Sequence, residues 1–304
     1  MAEPAESERH CGFVAMIGAP NAGKSTLLNA LVGAKVSIVT PKVQTTRTLI
    51  RGIAVEGNAQ LIFVDTPGIF APRRRLDRAM VGSAWASTQD ADLVALLIDA
   101  NKGVKDDEEG ILGGLGAIRP AKVLVLNKVD LVDKRALLTL TQRLNERATF
   151  AATFMISALT GDGVADLKSW FAAHVPLGPW LYPEDQISDA PLRQLAAEIT
   201  REKVYLRLHQ ELPYQSTVET EVWKELKDGS VRIEQTIYIE RDSQRKIVLG
   251  KAGQAIKAIG AAARADIAAA IEQPVHLFLH VKVREGWGDD PERYRQMGLE
   301  FPKE

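Results

Sequence analysis

Gly18-Ala19-Pro20-Asn21-Ala22-Gly23-Lys24-Ser25 is the stretch that decides the fold we predict for this chain. It follows an apolar run at residues 13–17, typical of a buried strand, and precedes a helical pattern at residues 26–32 that opens with Thr26. A glycine-rich loop between a strand and a helix cradles a polyphosphate, because its backbone N–H groups and the helix N-terminus point at the anion. We therefore predict that Lys24 reaches the β- and γ-phosphates and that the Ser25 hydroxyl ligates Mg²⁺.

Length and composition limit the classes of protein to which the chain can belong. A chain of 304 residues suits two domains, and a formal net charge of -1 gives no overall attraction for nucleic acid. The single cysteine, Cys11, excludes internal disulfides and cysteine-rich metal sites and favours a reducing cytosol. Residues 1–11 are polar and acidic, so we predict a disordered tail there rather than a signal peptide.

The first domain, predicted over residues 12–180, alternates apolar runs with helical patterns. Continuous apolar runs are expected for parallel strands that are covered on both faces. The pattern predicts an α/β fold with a doubly wound, mostly parallel sheet. The strands after the first are predicted at residues 49–55, 59–64, 93–98, 122–126 and 154–156.

Asp65-Thr66-Pro67-Gly68 stands at the end of the third predicted strand. In open α/β sheets, ligands bind at the carboxyl ends of the strands. An aspartate at this position can hold Mg²⁺ through a water, and the Gly68 N–H can bond the γ-phosphate. We expect the loop to be pinned by that contact and released on hydrolysis.

Asn127-Lys128-Val129-Asp130 stands at the end of the fifth predicted strand. The Asp130 carboxylate can accept hydrogen bonds from the N1–H and the exocyclic amine of guanine, which adenine cannot donate in that arrangement. The motif therefore predicts GTP over ATP, with Lys128 along the purine ring and Asn127 tied to the phosphate loop or to the base. Ser157-Ala158-Leu159 is predicted to give a backbone N–H to the guanine O6.

These motifs, in this order, resemble the small GTP-binding protein superfamily. The resemblance implies that the polar segment Gln44-Thr45-Thr46-Arg47 holds a threonine that ligates Mg²⁺ and senses the γ-phosphate, and we prefer Thr46 to Thr45. It also makes Lys24, Thr46 and Gly68 the expected catalytic residues. Ile69 stands where many of these GTPases have a water-orienting glutamine, so we expect slow hydrolysis unless another group supplies that contact.

The second domain, predicted over residues 191–304, follows a linker at residues 181–190. Residues 176–183 hold four prolines and glycines, which neither a helix nor a central strand tolerates. We predict a helix to about residue 210, a hairpin with strands at 217–226 and 231–240, and a last strand at 275–283. His276 and His280 share the polar face of that strand, where we expect a surface location rather than a metal site.

A second candidate site lies at Gly250-Lys251-Ala252-Gly253, where two helical patterns meet. Two glycines at this spacing allow the backbone to approach a sugar-phosphate chain closely, as in the clamp for single-stranded RNA. The spacing also occurs in helix-turn-helix connections, but six basic residues against one acidic residue between Arg241 and Arg264 favour RNA. The expected RNA-binding residues are Arg245, Lys246, Gly250, Lys251, Ala252, Gly253 and Lys257.

The chain as a whole resembles the Era family of bacterial GTPases, from residue 12 to residue 301. The similarity rests on the motifs above and on Tyr182-Pro183-Glu184-Asp185 and Gly286-Trp287-Gly288-Asp289-Asp290. The run Ala71-Pro72-Arg73-Arg74-Arg75 departs from the family pattern.

The resemblance implies a GTPase domain followed by an α+β, KH-like (type II) domain, with GTP or GDP and Mg²⁺ as cofactors. It implies binding to the 3′ end of small-subunit ribosomal RNA and a role in assembly of the small ribosomal subunit. It also implies a cytoplasmic location with peripheral association at the inner membrane, for which the sequence offers no amphipathic or lipid-anchor pattern. We expect a monomer.

Three interpretations are open at this point. The first is an RNA-binding GTPase switch. The second is an ATP-driven RNA-remodelling enzyme, which Asp130 disfavours. The third is a nucleotide-stabilised RNA-binding scaffold with negligible turnover, which Ile69 keeps open.

Overall fold

The computed structural model describes residues 8–42, 44–208 and 212–302. These residues form two compact units. The first unit contains residues up to 37, residues 46–189 and the chain from Tyr294 onward, and the second contains residues 38–45 and 190–293. The predicted tail, residues 1–11, lies outside the described residues as far as residue 7, and the first strand begins at His10.

The first unit is an α/β fold built on a six-stranded sheet. The strand order is β2-β3-β1-β4-β5-β6, with β2 antiparallel to β3 and the other pairs parallel. This confirms the predicted doubly wound sheet. The elements are β1 (His10–Gly18), α1 (Lys24–Val32), β2 (Ile50–Glu56), β3 (Ala59–Asp65), α2 (Arg75–Ser87), β4 (Leu93–Asp99), α3 (Asp106–Gly114), β5 (Ala121–Asn127), α4 (Lys134–Arg147), β6 (Ala152–Ile156) and α5 (Val164–His174).

Helices cover both faces of this sheet, which explains the continuous apolar runs in its strands. On one face, α1 and α5 bury Leu27, Leu28 and Phe171 against the sheet. On the other face, α2, α3 and α4 contribute to a second apolar cluster, with Ile111 and Leu144 both fully buried. The carboxyl ends of β1, β3, β4 and β5 remain clear of these layers, so their loops can form a site.

The predicted linker runs along β2, at the edge of the sheet. Gln60 in β3 accepts hydrogen bonds from the backbone N–H groups of Leu181 and Tyr182 at 2.8 and 3.0 Å. The Ile53 N–H donates to the carbonyl of Ile187 at 2.9 Å. Because its backbone satisfies groups of the sheet, this segment belongs to the first unit as far as Asp189.

The second unit has helices on one face of a three-stranded sheet. The sheet order is β7-β8-β9, antiparallel between β7 and β8 and parallel between β8 and β9. Apolar residues of α6, α7 and α8, among them Val204, Val248 and Ile259, pack against Ile237 of β8. His276 and His280 are both exposed on β9. The elements are α6 (Leu192–Arg207), β7 (Ser216–Glu225), β8 (Val231–Ile239), α7 (Asp242–Leu249), α8 (Gln254–Ile271), β9 (Val275–Val283) and α9 (Pro291–Gln296).

The order helix, two strands, two helices, strand matches the KH-like domain expected from the sequence. The helix that we predicted to run to about residue 210 ends at Arg207, and residues 209 and 210 lie outside the described residues. Across the residues that the structure describes, none of the helices has both the length and the apolar character needed to cross a bilayer.

The end of the chain packs against α2 in the first unit. Tyr294 is fully buried and forms a small apolar cluster with Ala79, Met80 and Leu299. The Phe301 ring lies edge-to-face with that of Tyr294, with the ring centroids 4.9 Å apart. The Arg75 guanidinium, at the start of α2, lies 5.0 Å from the Phe301 ring centroid. Residues 294–302 are therefore part of the packing of α2.

Candidate nucleotide site and nucleic-acid interface

The phosphate loop connects β1 to α1 through backbone conformations that few side chains permit. Gly23 has a φ of 98°, and a Cβ placed on it would lie 2.2 Å from the Asn127 Nδ2. Asn21 has a φ of 64°, in the left-handed region that asparagine tolerates better than most residues. Gly23 directly precedes the first turn of α1. The backbone N–H groups of the loop therefore lie next to those of the helix N-terminus, where an anion is favoured.

Lys24 lies buried at the centre of this loop. Its Nζ donates to the carbonyls of Gly18 and Ala19 at 3.0 and 3.1 Å. Burial lowers the pKa of Lys24 to about 8, and the nearby Asp65 opposes that shift. The ammonium group is thus held by loop carbonyls beside the place where the loop would hold a phosphate.

The Asp65 carboxylate accepts hydrogen bonds from the hydroxyl groups that were predicted to lie near the metal. Its Oδ2 accepts from the Ser25 Oγ at 2.6 Å and from the Thr46 Oγ1 at 3.3 Å, and these two hydroxyls are 2.9 Å apart. The Asp65 Oδ1 is buried and has no hydrogen-bond partner among the described residues. Burial also raises the pKa of Asp65. A buried carboxylate with an unused oxygen and two adjacent hydroxyls is a donor set that fits Mg²⁺, which prefers oxygen ligands.

The side chains of Thr46 and Thr45 have different hydrogen-bond partners. The Thr45 Oγ1 bonds to the Thr40 Oγ1 at 2.6 Å and to the Lys42 carbonyl at 2.8 Å, so it is engaged within its own loop. Ser37, which the sequence analysis missed, donates its Oγ to the Asp65 Oδ2 at 2.9 Å. No motif marks Ser37, and only the folded chain brings it to Asp65.

Gly68 and Ile69 lie against the phosphate loop. A Cβ on Gly68 would lie 2.8 Å from Cγ of Pro20 and 2.9 Å from its backbone N and Cα. The Ile69 N–H donates to the Gly18 carbonyl at 3.1 Å, while its side chain is buried in the apolar cluster beneath the sheet. Ile69 therefore faces the core and has no means to orient a water molecule.

We expect Ile69→Ala to leave the rate of GTP hydrolysis within a few-fold of the wild-type rate. The side chain is 5% exposed, so its loss should lower the free energy of unfolding by about 2–5 kcal/mol. Turnover and thermal unfolding would be measured together. Ile118→Ala, in the same cluster and 4% exposed, is the matched control. A collapse of turnover in the Ile69 variant alone would contradict the core assignment.

Asn127 links the three loops at the end of β5. Its Nδ2 donates to the carbonyl of Ala22 in the phosphate loop at 2.9 Å. Its Oδ1 accepts from the backbone N–H groups of Lys128 and Ala158 at 2.8 and 3.0 Å. Of the two roles predicted for Asn127, the structure displays the tie to the phosphate loop.

Lys128 is fixed by contacts on both sides. Its Nζ donates to the Asn21 carbonyl at 2.8 Å and to the Asp99 carboxylate at 2.7 Å. Asp99 was missed by the sequence analysis, although it ends β4 just as Asp65 ends β3 and Asn127 ends β5. Val129 is partly buried against the core, and Asp130 is exposed beside it. The Asp130 carboxylate is thus accessible to a base.

The segment Ser157-Ala158-Leu159 follows β6 at the same edge of the sheet. The Ser157 N–H donates to the Asp162 carbonyl at 3.0 Å, and that of Ala158 is held by Asn127. Leu159 is 81% exposed. The N–H predicted to bond guanine O6 stays a prediction.

The Gly250-Lys251-Ala252-Gly253 loop joins α7 to α8 on the second unit. Gly250 and Gly253 have φ values of 73° and 75°, and a Cβ on Gly250 would lie 2.6 Å from the Ala255 Cβ. The four basic side chains predicted to bind RNA are all exposed, and so is Ile247 in the preceding turn; the four are Arg245, Lys246, Lys251 and Lys257. The loop and the adjacent turns of α7 and α8 therefore present exposed cations and one exposed apolar side chain together.

Comparisons with known proteins agree with both halves of this description. Residues 13–128 match a family described as "50S ribosome-binding GTPase", and residues 211–288 match the KH domain family. The GTPase Era of Afipia carboxidovorans is 67% identical over 304 residues, which is 100% of this chain and 99% of that protein. The GTPase Era of Rhizobium meliloti is 68% identical over 292 residues, covering 96% and 93% of the two chains.

Two solved structures are similar over nearly the whole fold. One is Era in complex with MgGDPNP and nucleotides 1506–1542 of 16S ribosomal RNA, with a TM-score of 0.91, 36% identity and coverage of 96% of this chain and 99% of that chain. The other is an Aquifex aeolicus Era variant bound to GDP and AlF4⁻, with a TM-score of 0.90, 36% identity and coverage of 95% and 99%.

Proposed function

Because the chain belongs to the Era family of GTPases, we propose that it is a GTP-hydrolysing switch that binds small-subunit ribosomal RNA near its 3′ end and assists assembly of the small ribosomal subunit. The observation that carries the proposal is the cluster of Ser25, Thr46 and Asp65 beside the buried Lys24. This is the arrangement that a nucleoside triphosphate with Mg²⁺ requires.

The phosphates would lie in the loop from Gly18 to Thr26, with Lys24 releasing its loop carbonyls to contact the β- and γ-phosphates. Ser25 and Thr46 would hold Mg²⁺ directly, and Asp65 would hold it through a water. When bound, Mg²⁺ neutralises charge that develops on the phosphate oxygens. The cofactors we propose are accordingly GTP or GDP and Mg²⁺.

Hydrolysis would depend on how the loops order around the γ-phosphate. The Gly68 N–H would donate to a γ-phosphate oxygen, and Thr46 would sense the same phosphate, so both contacts disappear when it leaves. Neither contact supplies a group that orients the attacking water. We therefore expect a slow intrinsic rate of GTP hydrolysis, since the Ile69 side chain is buried in the core.

Guanine selection would rest on Asp130, with Lys128 along the base. Calorimetry with Mg²⁺ tests this proposal: GTP and GDP should release heat and ATP should not compete. If adenine and guanine nucleotides bind equally, the guanine assignment is wrong.

The RNA contact would lie on the loop between α7 and α8. Exposed cations can bind phosphates there, and the glycine backbone allows close approach to the sugar-phosphate chain. Residues 185–304 as a whole hold 18 basic and 20 acidic residues, so the local excess of basic residues near this loop is the feature that favours RNA.

We expect Gly253→Asp to weaken binding of single-stranded RNA by about tenfold or more and to leave GTP affinity unchanged. The new carboxylate would repel the phosphate chain, and the space around the position is open, although the positive φ of 75° strains any residue other than glycine. Gly229→Asp is the control, because Gly229 also has a positive φ and open space but lies in the β7–β8 turn. Equal RNA affinity of the Gly253 variant and wild type would refute the KH assignment of this loop.

A second candidate function is a nucleotide-stabilised RNA-binding scaffold with negligible turnover. The buried side chain of Ile69 favours it, because no water-orienting group replaces glutamine at that position. Multiple-turnover hydrolysis with and without small ribosomal subunits separates the two functions, since the scaffold predicts no turnover in either case.

We further propose a cytoplasmic monomer whose contact with the inner membrane is peripheral. Sedimentation of the purified protein and flotation with vesicles of bacterial lipids test the two parts separately.

A further inference from the structure

Three hydroxyl groups meet at one oxygen of the Asp65 carboxylate, and all of them belong to the first unit. Two are those of Ser25 and Thr46, the proposed ligands of Mg²⁺. The third is the Ser37 hydroxyl, which donates to the Asp65 Oδ2 at 2.9 Å, and Ser37 is only 1% exposed. The proposed function assigns no role to Ser37, so its place in this cluster needs an explanation of its own.

The three hydroxyls do not contribute equally to the Asp65 carboxylate, because each has a single proton to donate. The Thr46 Oγ1 lies 2.9 Å from the Ser25 Oγ and 3.3 Å from the Asp65 Oδ2, so its contact with the carboxylate is the longest of the three. Ser25 and Ser37, at 2.6 and 2.9 Å, are therefore the two firm donors. Two donors match the two lone pairs of one carboxylate oxygen.

Ser37 is held in place by the side chain of Asn29. The Asn29 Oδ1 accepts from the backbone N–H groups of Val36 and Ser37, both at 2.9 Å, and its Nδ2 donates to the Ser37 carbonyl at 2.8 Å. Asn29 lies four residues after Ser25 on α1, so the two side chains share one face of that helix. Helix α1 thus supplies one donor to Asp65 directly and fixes the second through Asn29.

With its Oδ2 held by two hydroxyls, the Asp65 carboxylate has a defined orientation. Its Oδ1, which is buried and has no hydrogen-bond partner among the described residues, is the oxygen that remains available to the metal site. Removal of a group that orients a metal ligand typically lowers metal affinity 10–100-fold, according to the general experience with such sites. Without Ser37, the remaining firm donor to Asp65 would be Ser25, which is itself a proposed ligand.

We propose that Ser37 is a positioning residue of the Mg²⁺ site, which acts by holding the Asp65 carboxylate and is itself held by Asn29. This inference rests on the proposed binding of GTP and Mg²⁺. The Ser37 hydroxyl is assigned neither to the metal nor to the nucleotide, so its loss should raise the requirement for Mg²⁺ and spare nucleotide binding without the metal. A purely structural role would weaken binding to the same extent in both conditions.

Ser37→Ala tests the inference, because alanine removes the hydroxyl and adds no atom. Binding of a fluorescent, non-hydrolysable GTP analogue would be titrated with Mg²⁺ and measured separately in EDTA. We expect the Mg²⁺ concentration that gives half of the metal-dependent gain in affinity to rise by about tenfold. Affinity in EDTA should stay within about twofold of the wild-type value, because Ser37 is not assigned to the nucleotide.

Ser216→Ala is the matched control. Ser216 is 0% exposed and donates its Oγ to the Pro213 carbonyl at 2.9 Å, so this variant loses a similarly buried hydroxyl in the second unit. Its Mg²⁺ requirement should remain at the wild-type value.

Asn29→Ala provides a second variant, which keeps the Ser37 hydroxyl but removes the groups that hold it. It should raise the Mg²⁺ requirement in the same direction as Ser37→Ala. Combined with Ser37→Ala it should add less than about twofold, because residues that act through one another are not additive. Asn29→Ala decides the question if Ser37→Ala does not fold.

Failure of this inference can be told apart from failure of the proposed function. If the wild-type protein does not bind the analogue, or binds it equally with Mg²⁺ and in EDTA, the proposed function fails. If the wild-type protein responds to Mg²⁺ and Ser37→Ala keeps the wild-type requirement, the positioning role is overturned. An equal loss of affinity in both conditions, or an equal rise for Ser216→Ala, would also overturn it. A fully additive effect of Asn29→Ala would show that Asn29 does not act through Ser37.

Discussion

Asp130→Asn is expected to weaken GTP binding by about a thousandfold, because two hydrogen bonds to a charged acceptor at about 2 kcal/mol each are lost or reversed. Asp130 is exposed in the loop after β5, so the substitution should leave the free energy of unfolding almost unchanged. Calorimetry with GTP and GDP in the presence of Mg²⁺ measures the effect.

The same variant can also be tested by its expected gain in affinity for a different nucleotide. Xanthine carries a carbonyl oxygen where guanine has its exocyclic amine, so the asparagine amide can donate to it while accepting from N1–H. Xanthosine triphosphate should therefore bind Asp130→Asn better than it binds the wild-type protein. Asp133→Asn is the control: Asp133 caps α4 by accepting from the N–H groups of Arg135 and Ala136, and its loss of charge should not affect the base. If Asp130→Asn binds GTP with wild-type affinity, the proposal that Asp130 recognises guanine is wrong.

Gly68→Ala is expected to lower the rate of GTP hydrolysis by about 100-fold, which is typical when one oxyanion donor is displaced. The added Cβ would lie within 3 Å of three atoms of Pro20, two of them backbone, so the loop must move away from the phosphate loop. GDP affinity should change by a few-fold at most, because the Gly68 N–H is assigned to the γ-phosphate. Single-turnover hydrolysis and GDP titration separate the two effects.

Gly82→Ala provides the matched control for the same change. Gly82 lies inside α2, and a Cβ there meets no atom within 4 Å. Replacing a helical glycine with alanine should stabilise the protein by about 0.5–1 kcal/mol and leave hydrolysis unaffected. Hydrolysis in Gly68→Ala within threefold of the wild-type rate would show that this N–H has no role.

The fold and most of the candidate nucleotide site could be predicted because their signals are local. Asp65 and Asn127 end β3 and β5, Lys24 follows β1 across the phosphate loop, and parallel strands bring their carboxyl ends to one edge of the sheet. Spacing alone then places these three side chains near one another. The confirmed doubly wound sheet and KH-like domain rest on the same kind of periodic pattern.

The residues that were missed depend on contacts between distant parts of the chain. Ser37 and Asp65 are separated by 28 residues, and neither periodicity nor a motif connects them. Ser37 stands in a polar loop whose course only the folded chain defines. The choice between Thr45 and Thr46 has the same cause: adjacent threonines are equivalent in sequence, and backbone geometry decides which one faces Asp65.

The packing of residues 294–302 against α2 also constrains the order in which parts of the molecule can complete their folding. Synthesis proceeds from the N-terminus, and domains fold as they emerge. Ala79 and Met80 are translated long before Tyr294 and Leu299, which cover them. Helix α2 thus completes its packing only after Tyr294 and Leu299 have been made, and a chain that stops short of Tyr294 leaves Ala79 and Met80 without this cover.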